Sequence, residues 1–283
     1  MKNDDFRKLY EQLCTMYQIY NLKPGILEHI GYTGCWTTVD ASRGQRAMAF
    51  NFSGEHAVHG IPQPQQLASL QPYIGRELFA LAERLLDTEE IMLRSCCQAA
   101  LIALSNPLNQ REALQSRNLP LADEENYAFI RPGDKVAVVG YGRVTGPLLE
   151  RQIPYDVCDL RPAASLGYWS IGERSVIRGP QGVAFHSPEE HGAVLAAADV
   201  VLITGCTMTN GTLEGLIGQT KQARVIGLFG PSAGVVPEFL LQKGVNYILS
   251  SRYAGETRLF DALLGQQNMF NAGCESYIIE DLG

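Results

Sequence analysis

Asp199-Val200-Val201-Leu202-Ile203 runs into Thr204-Gly205-Cys206-Thr207-Met208-Thr209-Asn210-Gly211-Thr212, and this stretch sets the reading of the whole chain. The first segment is an unbroken apolar run rich in β-branched residues. Such a run suits a parallel strand buried on both faces. The second segment is small, hydroxylated and glycine-containing, and Leu213-Glu214-Gly215-Leu216-Ile217 then begins a helical pattern. Strand, small-residue loop and helix form the repeating unit of an open α/β sheet, where ligands bind at the carboxyl ends of the strands. Free N–H groups at the start of a helix favour anions or polarised oxygens. The same residues also suit a purely structural task, with Asn210 or Thr212 as helix cap and the glycines making the turn.

A second unit of the same kind follows. Arg224-Val225-Ile226-Gly227-Leu228-Phe229 reads as the next strand. Gly230-Pro231-Ser232-Ala233-Gly234 is its loop, and a helix is expected around Pro237–Leu241. Two successive strands would thus deliver glycine- and hydroxyl-rich loops to one sheet edge. Later strands are expected at Asn246–Ser250 and, as an edge strand, in Tyr277–Glu280, with a helix at about Glu256–Leu264.

The paired motifs TGCTMTNGTLEGLI and GLFGPSAGVVPEFL resemble the Rossmann-like domain of the DUF364 family, the "putative heavy-metal chelation" family. The first half is similar to the small enolase-N-terminal-like domain that accompanies it. The resemblance implies a small α+β domain over 1–107, a linker over 108–132 and a doubly wound, mostly parallel Rossmann-like domain over 133–283. It also implies a ligand in the cleft between the domains. On the Rossmann side the ligand would meet Thr204, Gly205, Thr207, Asn210, Gly211, Thr212, Gly230, Pro231 and Ser232. The family's Asn-Ala pair near the end of the preceding helix aligns here with Ile102-Ala103, leaving Asn106 displaced.

Composition limits the alternatives. The 283 residues are 46% hydrophobic and 19% charged, with net charge −7. These are ordinary values for a globular chain with a substantial core. No basic run with interleaved aromatics points to nucleic acid. No apolar run reads as a membrane span. Nothing resembling a secretion signal follows Met1-Lys2-Asn3-Asp4-Asp5, so a cytoplasmic setting is expected. Seven cysteines, at 14, 35, 96, 97, 158, 206 and 274, form no C-x-x-C pair. Neither a zinc ribbon nor a disulfide framework is therefore expected.

In the first half, apolar residues at helical spacing predict an amphipathic helix over 5–20, ended by Pro24-Gly25. Residues 26–40 and 46–52 predict a small antiparallel sheet, with Ala41-Ser42-Arg43-Gly44 as hairpin turn. Two helices are expected at 65–86 and 88–105, the second buried on most sides. His56 and His59 stand at i, i+3 in a polar loop and can act as a metal-ligand pair. Cys206, at the start of a helix, is a candidate thiolate for a soft metal. Cys35 and His56 are the residues that would approach it across a cleft.

The second half opens with Lys135–Val139 as a strand, then Gly140, Gly142 and Gly146, and a helix. This approximates the dinucleotide fingerprint with one extra residue before the last glycine. Asp159, after the expected strand 153–158, stands where a ribose-binding acid would. Arg161–Gly182 reads as an irregular loop, with Trp169 available to wall a pocket. Two functional readings therefore stand side by side. One is a metal- or metallophore-handling protein with a small anionic or metal-chelate ligand and a transition metal. The other is an enzyme with NAD or another nucleotide at Gly140–Gly146. A homodimer is expected, with neither nucleic acid nor membrane as partner.

Overall fold

The computed structural model describes residues 4–33, 36–52, 64–161, 169–170, 176–177, 183–255, 257–264 and 273–282. The apolar periodicity of the first residues yields helix α1, Asp5–Ile19, which buries Phe6, Leu9, Leu13 and Met16. Asn21, with φ 50°, ends it. Leu22 N donates to Tyr17 O and Asn21 N to Gln18 O, the paired bonds of a Schellman cap. Strands β1 (Leu27–Tyr32), β2 (Trp36–Ala41) and β3 (Arg46–Phe50) form the antiparallel sheet, in that order. The expected helix over 65–86 is two helices, α2 (Pro64–Leu70) and α3 (Leu78–Leu85). Between them lie Pro72 and Gly75, whose φ is 84°. Proline and a left-handed glycine end helical hydrogen bonding there.

Helix α4, Ile91–Ser105, is the axis of the molecule. It packs on β2 and β3 on one side and on the loops of the second sheet on the other. With the following 3₁₀ turn, Ile91–Asn109 does reach the length and apolarity of a membrane span, contrary to expectation, yet 83% of that stretch is buried inside the protein. A core helix passes the same test because both environments select apolar residues. Helix α5 (Arg111–Ser116) and strand β4 (Leu121–Ala122) follow.

The second half contains β5 (Val136–Val139), α6 (Thr145–Glu150), β6 (Asp156–Cys158), β7 (Trp169–Ser170), β8 (Val176–Ile177), β9 (Ala184–His186), α7 (His191–Ala197) and β10 (Val200–Thr204). It continues with α8 (Cys206–Thr209), α9 (Leu213–Ile217), β11 (Val225–Phe229), α10 (Pro237–Leu241), β12 (Tyr247–Tyr253), α11 (Leu259–Leu264) and β13 (Cys274–Glu280). The eight-stranded sheet runs β4-β13-β12-β11-β10-β5-β6-β9. Its six parallel strands, numbered along the chain, stand in the order 3-2-1-4-5-6, the doubly wound Rossmann arrangement. The third strand, β9, comes just after the Arg161–Gly182 stretch that reads as an irregular loop. The small antiparallel β7–β8 pair lies inside that same stretch.

β13 pairs antiparallel with β12 and, on its other side, with Leu121–Ala122. The tail is therefore one strand in from the edge, and β4 is the edge. Alternate residues of the central strands are buried on opposite faces, as the unbroken apolar runs require. Val201, Ile203 and Ala137 join a core shared with α1, α4 and the small sheet. Val200, Leu202 and Val138 join a second core with Tyr127, Phe129 and Tyr247.

Candidate functional site

The sheet reverses direction of winding between β5 and β10, and ligands of doubly wound folds bind at that switch point. Three loops meet there. Gly205 N donates to Phe229 O at 2.8 Å and Gly230 N to Leu249 O at 2.9 Å, so each loop extends the parallel ladder by one bond. Gly205 permits the closest approach. A Cβ on it would lie 2.3 Å from Ala233 N and 2.5 Å from Ser232 C. Gly140 has φ 86°, and Thr204 fills the space a Cβ would take, 2.6 Å from its methyl carbon.

The face of these loops turned toward the first half of the chain is packed. Gln98 Nε2, on α4, donates to Ser232 O at 2.6 Å and to Gly205 O at 3.1 Å. Its Oε1 accepts from the Thr209 hydroxyl. Arg94, one turn earlier, donates from Nε to Thr209 O at 2.6 Å and lies over the Phe6 ring. Ser232 Oγ accepts Phe50 N–H at 2.8 Å. Gly205, Thr207, Gly230 and Ser232 are accordingly buried. Asn210 Oδ1 accepts the Thr212 hydroxyl at 2.7 Å and Thr212 N at 3.2 Å, a local turn that opens α9.

Other residues of these loops keep some exposure. Thr204, Cys206, Asn210, Gly211 and Pro231 are half-buried, and Thr212 is exposed. Cys206 Sγ accepts from Thr204 Oγ1 at 3.3 Å and lies 3.9 Å from Ser232 Oγ. Burial pushes its thiol up from the ordinary value, against the lowering effects of Thr204, Ser232 and the Arg161 charge. Desolvation thus outweighs the hydrogen bonds and the cation that would favour the thiolate at Cys206. Iodoacetamide should therefore modify Cys206 slowly at pH 7. The rate should still be rising at about pH 9, the range where an unperturbed thiol levels off. Peptide mapping after timed labelling measures this, and a plateau below pH 8 would contradict it.

At the first turn, Asp159 is 6% exposed and fully engaged. Its carboxylate accepts Tyr141 N at 2.8 Å, Arg161 N at 2.9 Å, Arg161 Nε at 3.0 Å and Arg161 Nη2 at 2.7 Å. Arg161 Nη2 also donates to Tyr141 O at 3.1 Å. Burial works against the guanidinium's charge, but the Asp159 hydrogen bond and charge leave its pKa raised overall. A Cβ added to Gly142 would lie 3.5 Å from the Phe229 ring and 3.9 Å from Gly140 O, and one added to Gly146, in α6, would meet nothing within 4 Å among the described residues. A ribose approaching Asp159 would have to displace Arg161.

His56, His59 and Cys35 lie outside the described residues, as do the surroundings of Trp169. Among the described residues, no group of three or more His, Cys, Asp or Glu side chains is placed to hold a metal ion. Arg94, Gln98 and Arg161 carry the local geometry without having stood out in the sequence. The first two were legible in principle. A glutamine and an arginine one turn apart in an otherwise apolar helix must find partners if buried.

The sheet order and switch-point loops define a Rossmann-like α/β protein. The chain belongs to the DUF364 family, described as "Putative heavy-metal chelation", whose sequence model matches residues 126–269. It is similar in fold to a DUF364 protein of unknown function from Desulfitobacterium hafniense, with TM-score 0.65, 18% identity, and 97% of this chain and 99% of that one covered. A DUF364 protein of unknown function from Pyrococcus horikoshii is similar as well, with TM-score 0.64, 17% identity, and 99% and 100% covered. No curated protein matches the chain.

Proposed function

We propose that the chain binds a small anionic, metal-chelating ligand and so handles a chelated metal rather than a bare ion. The observation that carries this reading is the Arg161 guanidinium, gripped at two nitrogens by Asp159 beside the switch point. A guanidinium held in one orientation is suited to a carboxylate or similar oxyanion. Its charge reaches Cys206, and Thr204 hydrogen-bonds to that thiol, so a cation, a thiol and a hydroxyl share one locality. The family description supports a metal in the ligand. In this reading the ligand lies against the partly exposed loop residues Thr204, Cys206, Asn210, Gly211 and Pro231. The buried residues Gly205, Thr207, Gly230 and Ser232 hold those loops in place. The nucleotide reading has less support, because Asp159 already takes four donors.

The test begins with protein purified without a histidine tag, examined by elemental analysis and native mass spectrometry. Thermal unfolding is then followed with nickel citrate, citrate and nickel chloride as probes. Nickel citrate should raise the unfolding temperature of the natural sequence, and Arg161→Gln should lose that rise relative to its own unliganded baseline. At a probe concentration 100 times Kd the stabilisation is about 2.7 kcal/mol. Equal responses in both proteins, or a response to nickel chloride alone, would sink the proposal.

A further inference from the structure

The hairpin between β2 and β3 departs from ordinary turn chemistry. Gln45 N donates to Ser42 O at 3.4 Å, and the two central residues, Arg43 and Gly44, have φ of 64° and 69°. Two left-handed central residues make this a type I′ turn, which favours Asn, Asp or Gly at both positions. Gly44 fits. Arg43 does not: a long side chain seldom occupies that conformation. The Arg43 side chain itself brings no compensating contact: it is exposed and, among the described residues, makes no hydrogen bond or ion pair. A local rule broken without a structural return points to a task outside the fold.

Arg43 lines an open pocket of about 350 Å³ with Lys23, Asn21, Leu22, Gln45 and Pro107. The Lys23 ammonium likewise has no partner among the described residues. The walls are fixed by two buried amides. Gln45, 2% exposed, accepts Gly25 N–H at 2.7 Å and donates to Lys23 O at 3.0 Å. Asn106 Nδ2 donates to Gly44 O at 2.7 Å, tying the turn to the end of α4. Two uncompensated cations thus border one concave site on a protein of net charge −7. The pocket shares no residue with the switch point.

We propose that this pocket binds a small phosphate monoester, with Arg43 and Lys23 on the phosphate and Leu22 and Pro107 against its organic part. A guanidinium fork and an ammonium point charge both take phosphate well. The pocket's volume falls in the range of small-molecule sites and exceeds what a lone phosphate fills.

Thermal unfolding and calorimetric titration with glycerol 3-phosphate and inorganic phosphate, against potassium chloride at matched ionic strength, test the assignment. The natural sequence should show a rise in unfolding temperature, larger for the monoester. Arg43→Asn places the residue a type I′ turn prefers, so its unliganded protein should unfold at the same temperature or higher. Its affinity for glycerol 3-phosphate should fall at least tenfold, and Lys23→Gln should behave likewise in affinity. Arg161→Gln should keep the full response. An unchanged response in Arg43→Asn and Lys23→Gln would overturn the proposal by locating the phosphate elsewhere. Loss in Arg161→Gln instead would move it to the switch point. No response of the natural sequence to either probe would also overturn it.

Discussion

Gly205→Ala is expected to cost about 3 kcal/mol of stability, the upper part of the usual range for forcing an extra carbon into a packed site. The new Cβ would stand 2.3 Å from Ala233 N, 2.5 Å from Ser232 C and 2.8 Å from Ala233 Cα. All three are backbone atoms, which cannot step aside as the end of a side chain can. The helical φ of −60° at Gly205 would accept alanine readily, so the cost comes from the approach of two loops alone. Relief requires parting the loop after β10 from the turn after β11, which strains the Gly205 N to Phe229 O bond and the grip of Gln98. Chemical denaturation measures the loss, with a fall of roughly 6–10 °C in unfolding temperature for a chain of this size. Gly146→Ala is the internal control. It lies in the first turn of α6 with nothing among the described residues within 4 Å of its added Cβ; Pro147, which follows, offsets alanine's helix propensity, and the change should stay within about 0.5 kcal/mol. Equal effects at the two glycines would refute the close-approach argument.

Gln98→Ala is expected to be as damaging by a different route. The side chain is fully buried and serves three partners at once: Ser232 O, Gly205 O and the Thr209 hydroxyl. Truncation opens a cavity and withdraws a hydrogen bond from each partner. A buried polar group left unsatisfied costs about 1–3 kcal/mol, so a total of about 3–5 kcal/mol is expected. Gln98→Met retains most of the volume and none of the hydrogen bonding, and should still lose about 2–3 kcal/mol. Ser95→Ala, on the same helix, should be nearly neutral. Among the described residues its hydroxyl bonds only to Ile91 O of its own helix, a bond that adds little to helix stability. The denaturation midpoints of the three variants, with amide exchange of Ala233, separate lost bonds from lost packing. A Gln98→Met protein as stable as the natural one would remove Gln98 from its role in setting the loops.

The parallel strands were legible in the sequence because their signal is local. Val200–Ile203 and Val225–Phe229 are apolar on both faces, and only a sheet covered on both sides accepts such runs. The glycine and hydroxyl loops after them were legible for the same reason, as was the hairpin at Ala41–Gly44. The sequence did not reveal where distant groups would meet. β9 and β4 are three and two residues long, too short to carry a period, and they exist because β6 and β13 present open edges to them. Asp159 has the spacing of a ribose acid, yet Arg161, two residues later, folds back and takes its carboxylate. Ser232 and Gly205 read as ligand contacts, yet α4 reaches them from more than 100 residues earlier through Gln98. Spacing along a chain states which groups are available. Which of them are already satisfied by one another is decided by long-range packing, where the cost of leaving a buried polar group unpaired selects the partners.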